Sequence, residues 1–222
     1  MPRNKYPEET VQKILDTSTE LFLNKGFEQT TILDIVDNLG GLTRGAFYHH
    51  FKSKEEVLDA IINQWYNRNS PFERAQHTQG LTAFERGKLA IRYSLEGSWG
   101  EKNRALLSKA SLPLLSNPRF LAEHVKYNRE TSKQIEIMLE EGVIDGSINI
   151  TIPAKMLSEL IMLLFNFWTL PSVYPCNKEE FIARFLLIKD ILDNCGLPII
   201  DEEVLEIIRN VSDYVDFDST AE

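Results

Sequence analysis

Cysteine, proline, glycine and basic charge are all scarce in this chain, and each shortage excludes something. The two cysteines, Cys176 and Cys195, lie 19 residues apart with no CxxC spacing. That suits a reducing cytosol, and both are expected to be ordinary buried or partly buried thiols. Nine prolines and 11 glycines in 222 residues are too few for a fibrous or wholly disordered chain. No uncharged apolar run approaches the roughly 18 residues of a membrane span; the best, Leu160 to Leu170, is short and follows Glu159. The opening MPRNKYPEETV carries charge where a secretory leader needs an apolar stretch. The expectation is a cytoplasmic protein with no membrane partner. Catalytic signatures are missing too: there is no GxSxG, P-loop, HExxH or Rossmann glycine set. That predicts no enzyme and no cofactor.

Basic residues are outnumbered, with 24 Lys and Arg against 33 Asp and Glu and a net charge of −9. Residues 1–66 hold seven basic and ten acidic side chains, so even this part is not basic overall. The distribution matters more than the sum. Between Asp37 and Glu55 there is no carboxylate, while Arg44, Lys52, Lys54, His49 and His50 fall there. A polyanion contact on this acidic protein has to use that patch and the arm carrying Arg3 and Lys5.

What the chain has in abundance is helical periodicity. Val11, Ile14, Leu15, Ser18, Leu21 and Phe22 follow the spacing of one buried helical face. Pro7 starts that helix, and Gly26 supplies the left-handed residue that ends it. Thr31, with Asp34 three residues on, predicts the cap of a second helix burying Ile32, Ile35, Val36 and Leu39 and stopping at Gly40-Gly41. Thr43 caps a third, very short helix to about His49, and Ser53-Lys54-Glu55-Glu56 opens a longer fourth. Asn67 to Gly80 reads as a loop between two domains. Further helices are expected at about 81–97, 102–115, 118–141, 153–170, 178–195 and 201–216, separated by proline and glycine breaks. The segment SINITI (147–152) alternates but is too short for a sheet. The fold class is all-α.

Three short helices with a glycine turn before the last have the order of a helix-turn-helix unit, whose final helix lies in the DNA major groove. Leu42, Phe47 and Phe51 are apolar and suited to pinning that helix inward. Thr43, Arg44, Gly45, Ala46 and Tyr48 are left outward. Arg44 can read guanine bidentately, Gly45 permits close approach, and Ala46 can meet a thymine methyl. Tyr48, His49 and Lys54 suit phosphate oxygens, and Thr31 at the start of helix two is similarly placed. Adjacent histidines point to different sides of a helix and lack a third ligand, so Tyr48-His49-His50 predicts no metal site. Glu123-His124 has no nucleophile beside it and reads as an ordinary pair.

The stretch from Ile14 to Leu58 closely resembles the DNA-binding domain of the TetR family of transcriptional regulators. The signals are ELF…KGF, T-T-I-x-D-I and TRGAFYHHFKSKEEVL, about a fifth of the chain. Ala46 stands where the family often has a hydroxyl, and His50 where a phenol or indole is commoner; both blur the operator sequence. The resemblance implies residues 1–52 as the DNA-binding domain and 53–222 as a helical domain that dimerises and binds a small effector. It also implies a pseudo-palindromic operator and a repressor released when an effector tilts the helix starting at Ser53.

In the second half, MLSELIMLLFNFWTL (156–170) is apolar nearly all round, and Phe181, Ile182, Phe185, Leu186, Ile188 and Leu192 repeat the pattern. Two apolar surfaces per helix suggest a subunit interface. By the resemblance, the helices at about 153–170 and 178–195 pair with their symmetry mates in a four-helix bundle. Tyr93, Trp99, Tyr127, Met138, Met162, Phe165 and Trp168 are candidates to line an effector cavity, with Arg92, Asn128, Gln134 and Asn166 as polar partners. No cluster of like charge dictates an ionic ligand, so the effector is expected to be apolar or aromatic. The scarcity of basic residues keeps one other reading open, a helical interaction module whose helix-turn-helix no longer meets DNA.

Overall fold

A computed structural model describes residues 7–67, 71–98, 117–171, 173–213, 215 and 217. The expected helix at 102–115, Trp99, and the arm with Arg3 and Lys5 lie outside them. The described residues are all-helical, with no strand. In chain order the helices are α1 (Pro7–Lys25), α2 (Ile32–Asn38), α3 (Arg44–His50), α4 (Lys54–Asn67), α5 (Pro71–Gln76), α6 (Ala83–Ser98), α7 (Pro118–Asp145), α8 (Ala154–Leu163), α9 (Lys178–Asn194) and α10 (Glu202–Ser212). Contacts divide the chain into two units, Met1–Arg68 with Pro113–Leu121 and Asn69–Leu112 with Ala122–Glu222.

In the first unit α1 buries Ile14, Leu15, Ser18 and Phe22, and α4 buries Val57, Leu58, Ile61 and Ile62. Ile35, Leu39, Phe47 and Phe51 complete the core. The anticipated caps form. Thr31 Oγ1 accepts from the Asp34 amide at 3.1 Å while the Asp34 carboxylate takes the Thr31 amide at 2.7 Å. Two donors left over at a helix start are thereby satisfied. At α4 the Ser53 hydroxyl accepts from the Glu56 amide, but the Glu56 carboxylate reaches back to the Lys52 amide, one residue earlier than a closed box. The turn between α2 and α3 runs through Gly40 and Gly41 at φ 57° and 97°, a conformation that costs other residues a Cβ clash.

The second unit departs from the expected pattern in three places. The stretch expected as a loop contains α5, in which Phe72 and Ala75 pack inward; two apolar residues in one short turn are too few for a periodic signal. α7 runs past 141 to Asp145 because Gly142 sits where the Ile148 side chain comes within 2.4 Å of an added Cβ. A residue usually read as a break is here a contact surface. The expected helix at 153–170 is α-helical only to Leu163, then widens into a π turn at Leu164–Trp168. That turn closes with the Thr169 amide on the Leu164 carbonyl and the Thr169 hydroxyl on the Phe165 carbonyl.

Capping ties this unit together. Thr82 and Glu85 form a reciprocal cap on α6. The Ala83 and Phe84 amides donate to Asp145 and Ser147. Asn177 and Glu180 cap α9 in the same reciprocal way. After α9, Gly196 at φ 82° lies against the Asn149 carbonyl, where a Cβ would come within 2.0 Å; only glycine fits. The core gathers Ile135, Leu139, Leu157, Phe181, Phe185, Ile188, Leu192, Val204, Leu205 and Ile208 from α7 to α10.

Candidate nucleic-acid interface

α3 has seven residues, too short to hold itself together in water. Thr43 starts it, its hydroxyl accepting from the Ala46 amide at 3.2 Å. Phe47 anchors it, fully buried and packed 6.2 Å from the Phe51 ring. With that side fixed inward, Thr43, Arg44, Gly45, Tyr48 and His49 are exposed and Ala46 is half-exposed. A Cβ built on Gly45 meets nothing nearer than the Thr43 hydroxyl at 3.8 Å, so the space outside it is open. The Arg44 guanidinium lies over the Tyr48 ring, 5.6 Å from its centroid.

Electrostatics favour an anion here. No carboxylate falls from Asn38 to Lys54. Asp34, just before that stretch, is bound by Lys25 at 2.8 Å and by the Thr31 hydroxyl at 2.7 Å. These partners hold its carboxyl well below the usual range, so it stays charged but compensated. Burial, and the neighbouring His49, pull the His50 imidazole below its ordinary value.

Two of the sequence-predicted contacts have work within the fold. The Lys54 ammonium donates to the carbonyls of Phe27 at 2.8 Å and Glu28 at 3.1 Å and sits 4.5 Å above the Phe27 ring. It therefore braces the start of α4 against the turn that leaves α1. Thr31 is exposed, with both its amide and its hydroxyl on Asp34. Arg119 adds a second brace to α4 through Asp59, at 3.0 and 3.2 Å. Sequence spacing gave no sign of either brace, because both partners are remote along the chain.

Of the aromatic and sulfur-bearing effector candidates among the described residues, Met138 alone lines the cleft walled by Phe72, Arg86 and Glu141. Tyr93 lies beneath the Arg74 guanidinium at 3.7 Å. Tyr127 is half-buried, with burial pushing its phenol up. Met162 is core, and Phe165 stands edge-on to Phe185 at 5.9 Å. Trp168 lies under Arg184, whose guanidinium donates to the Trp168 and Tyr174 carbonyls. Met138 lines an open cleft of about 290 Å³, mouth included, with Phe72, Ala75, Gln76, Arg86, Ala90, Gln134 and Glu141. Of the polar partners, Asn166 donates to Asn128 at 3.0 Å and Asn128 to the His124 carbonyl at 2.7 Å. Arg92 is taken by Glu203. His124 belongs to this cluster, edge-on to Phe167 at 5.0 Å, and was not singled out from the sequence as a pocket residue. Only the π turn brings Asn166 and Phe167 to it.

α9 buries Phe181, Phe185, Ile188 and Leu192 and leaves Leu186 and Leu187 exposed, 42% and 48%. On α8, Met156 and Leu163 are 64% and 58% exposed. None of the described helices is long and apolar enough to cross a membrane. No group of three or more His, Cys, Asp or Glu among the described residues is placed to hold a metal ion.

Residues 14–61 match the family described as bacterial regulatory proteins, tetR family. Among curated relatives, the HTH-type transcriptional repressor KstR2 of Mycolicibacterium smegmatis is 29% identical over 61% of this chain and 65% of that protein. The HTH-type transcriptional regulator TtgR of Pseudomonas putida is 32% identical over 32% of this chain and 34% of that protein. The chain thus spans less than two thirds of either relative. The fold extends further than the sequence likeness. GusR of Salmonella enterica superposes with a TM-score of 0.63 at 18% identity, covering 88% of this chain and 99% of that one. The SmeT–triclosan complex gives 0.58 at 23% identity, covering 90% of each chain.

Proposed function

We propose that this chain, whose residues 14–61 match the tetR family of bacterial regulatory proteins, is a homodimeric repressor that reads a pseudo-palindromic operator through α3 and releases it on binding a small molecule. The observation that carries the DNA-binding reading is a short helix pinned by a buried phenylalanine, with an exposed arginine in its first turn and no carboxylate in the sequence from residue 38 to 54. Thr43, Arg44, Gly45 and Ala46 meet base edges, while Tyr48 and His49, with Thr31 at the start of α2, meet phosphates. Lys54 serves as a brace that carries α4 and the reading head together.

A recognition helix of seven residues reaches few base pairs, so two copies are needed to make a site. The exposed Leu186, Leu187, Met156 and Leu163 supply the apolar surface for that pairing. Residues 1–52 form the reading domain and 53–222 the sensing and pairing domain. Release follows if the effector moves α4 and changes the roughly 34–36 Å between the two reading helices. A coupling of about 1–3 kcal/mol alters operator affinity some 5–150-fold. The effector is apolar with a hydrogen-bonding group: the described residues of the unit offer aromatic surface and the Asn128 and Asn166 amides. SmeT, similar in fold, binds triclosan, a molecule of that general kind.

DNA selection from genomic fragments with the purified protein tests the reading. Wild type selects an inverted repeat and Arg44→Ala binds without that preference, at a loss of about 1–3 kcal/mol. Wild-type protein that selects nothing above background refutes it, and points to an interaction module instead.

A further inference from the structure

Resting on the DNA-binding reading, we infer that Tyr48 does two separable jobs: its hydroxyl meets phosphate, while its ring positions the Arg44 guanidinium for guanine. The ring is thus a specificity-determining element although it touches no base. The two residues are one helical turn apart, which puts their side chains on the same face. Arg44 lies 5.6 Å from the centroid of the Tyr48 ring. That ring is itself held perpendicular to Phe47 at 5.6 Å, and Phe47 is fully buried. The chain of contacts therefore runs from the core, through two rings, to the exposed guanidinium.

Arg44 needs such a partner because it has no other among the described residues. It is exposed, no carboxylate lies from residue 38 to 54, and it makes no ion pair among the described residues. A long side chain left free in water samples many rotamers, and a bidentate contact to guanine requires one. A carboxylate would hold the guanidinium still but would compete with the base for its donors and repel phosphate. An aromatic face restrains it while leaving all five N–H groups available and adding no charge. The effect is confined to the base pair that Arg44 reads, because phosphate contacts carry no sequence information.

The test uses the full-length protein and the operator selected by wild type. Affinity is measured for that operator and for one in which the G·C pair lost from the Arg44→Ala selection is replaced by A·T in both half-sites. Tyr48→Phe keeps the ring: its discrimination stays at the wild-type ratio while both affinities fall together and the salt slope, which counts cationic contacts, is unchanged. Tyr48→Leu removes the ring: its discrimination falls about two- to fivefold per half-site, the size of one exposed cation–π contact. Arg44→Ala/Tyr48→Leu discriminates no worse than Arg44→Ala alone, since the ring has nothing left to position. Circular dichroism and melting of each variant establish that α3 is intact; where Tyr48→Leu loosens the helix, Tyr48→Trp takes its place, keeping an aromatic face and with it the discrimination, and a folded Tyr48→Trp that loses discrimination overturns the inference. Full discrimination in folded Tyr48→Leu, or an equal loss in Tyr48→Phe, overturns the inference while leaving DNA binding standing. A wild-type protein that selects no sequence removes both.

Discussion

Replacing Lys54 by methionine keeps most of the apolar stem and deletes the ammonium, and the two roles open to that ammonium predict opposite outcomes. In the structure it donates to the Phe27 carbonyl at 2.8 Å and the Glu28 carbonyl at 3.1 Å, above the Phe27 ring at 4.5 Å. A hydrogen bond from a charged donor contributes about 1.5–3 kcal/mol net. The Glu28 bond is exposed and the two are not additive, so Lys54→Met is expected to cost about 2 kcal/mol. In urea unfolding followed by circular dichroism the midpoint falls with the slope unchanged. The DNA readout separates the roles. Each phosphate neutralised adds about 0.9 to the slope of log affinity against log salt. A Lys54 spent on phosphate would lower that slope by about 1.8 in a dimer and leave stability nearly untouched. A Lys54 spent as a brace leaves the slope alone and lowers stability. An unchanged urea midpoint together with a flattened salt slope would refute the bracing argument.

Three further outcomes follow from side chains near the same interface. Ser18 is fully buried and its hydroxyl oxygen has no hydrogen-bond partner among the described residues, so Ser18→Ala is expected to stabilise by about 1–2 kcal/mol; a lower urea midpoint would show that the hydroxyl is in fact satisfied. Gly45 has open space outside it, so Gly45→Ala should hold or raise the melting temperature, as alanine does in a helix, while weakening operator binding; equal affinity would place Gly45 away from DNA. Lys25 and Thr31 hold the Asp34 carboxyl below its ordinary value of 3.8. The folded state thus binds its proton less readily, and the stability from this cap is present above that pH and lost as pH falls through the folded value. The protection of the α2 amides, taken relative to the intrinsic exchange rate at each pH, should therefore fall on acidification in wild type and stay nearly level in Asp34→Asn; parallel protection profiles would mean the cap does not act through its charge.

Much of the candidate site was legible from local patterns because the signals that build it are local. The Thr31–Asp34 and Thr43–Ala46 caps and the Gly40–Gly41 turn all act within four residues of chain. α5 escaped notice because one turn with two buried side chains leaves no period to detect, and the extension of α7 escaped because Gly142 is buried against Ile148 rather than ending the helix. The aromatics of the second unit were visible as a set, but nothing in their spacing says which share a surface.

What the sequence by itself determined is an all-helical chain whose first third carries a short, carboxylate-free helix, since capping, periodicity and charge spacing are written in neighbouring residues. Only the tertiary structure decided that Lys54 is tied to the turn after α1, that Asp59 meets Arg119, and that a π turn sets Asn166 against Asn128. Those contacts join residues 26 to 60 positions apart. Their partners are chosen by how helices pack, through a balance of burial and hydrogen bonding that no short stretch of chain contains.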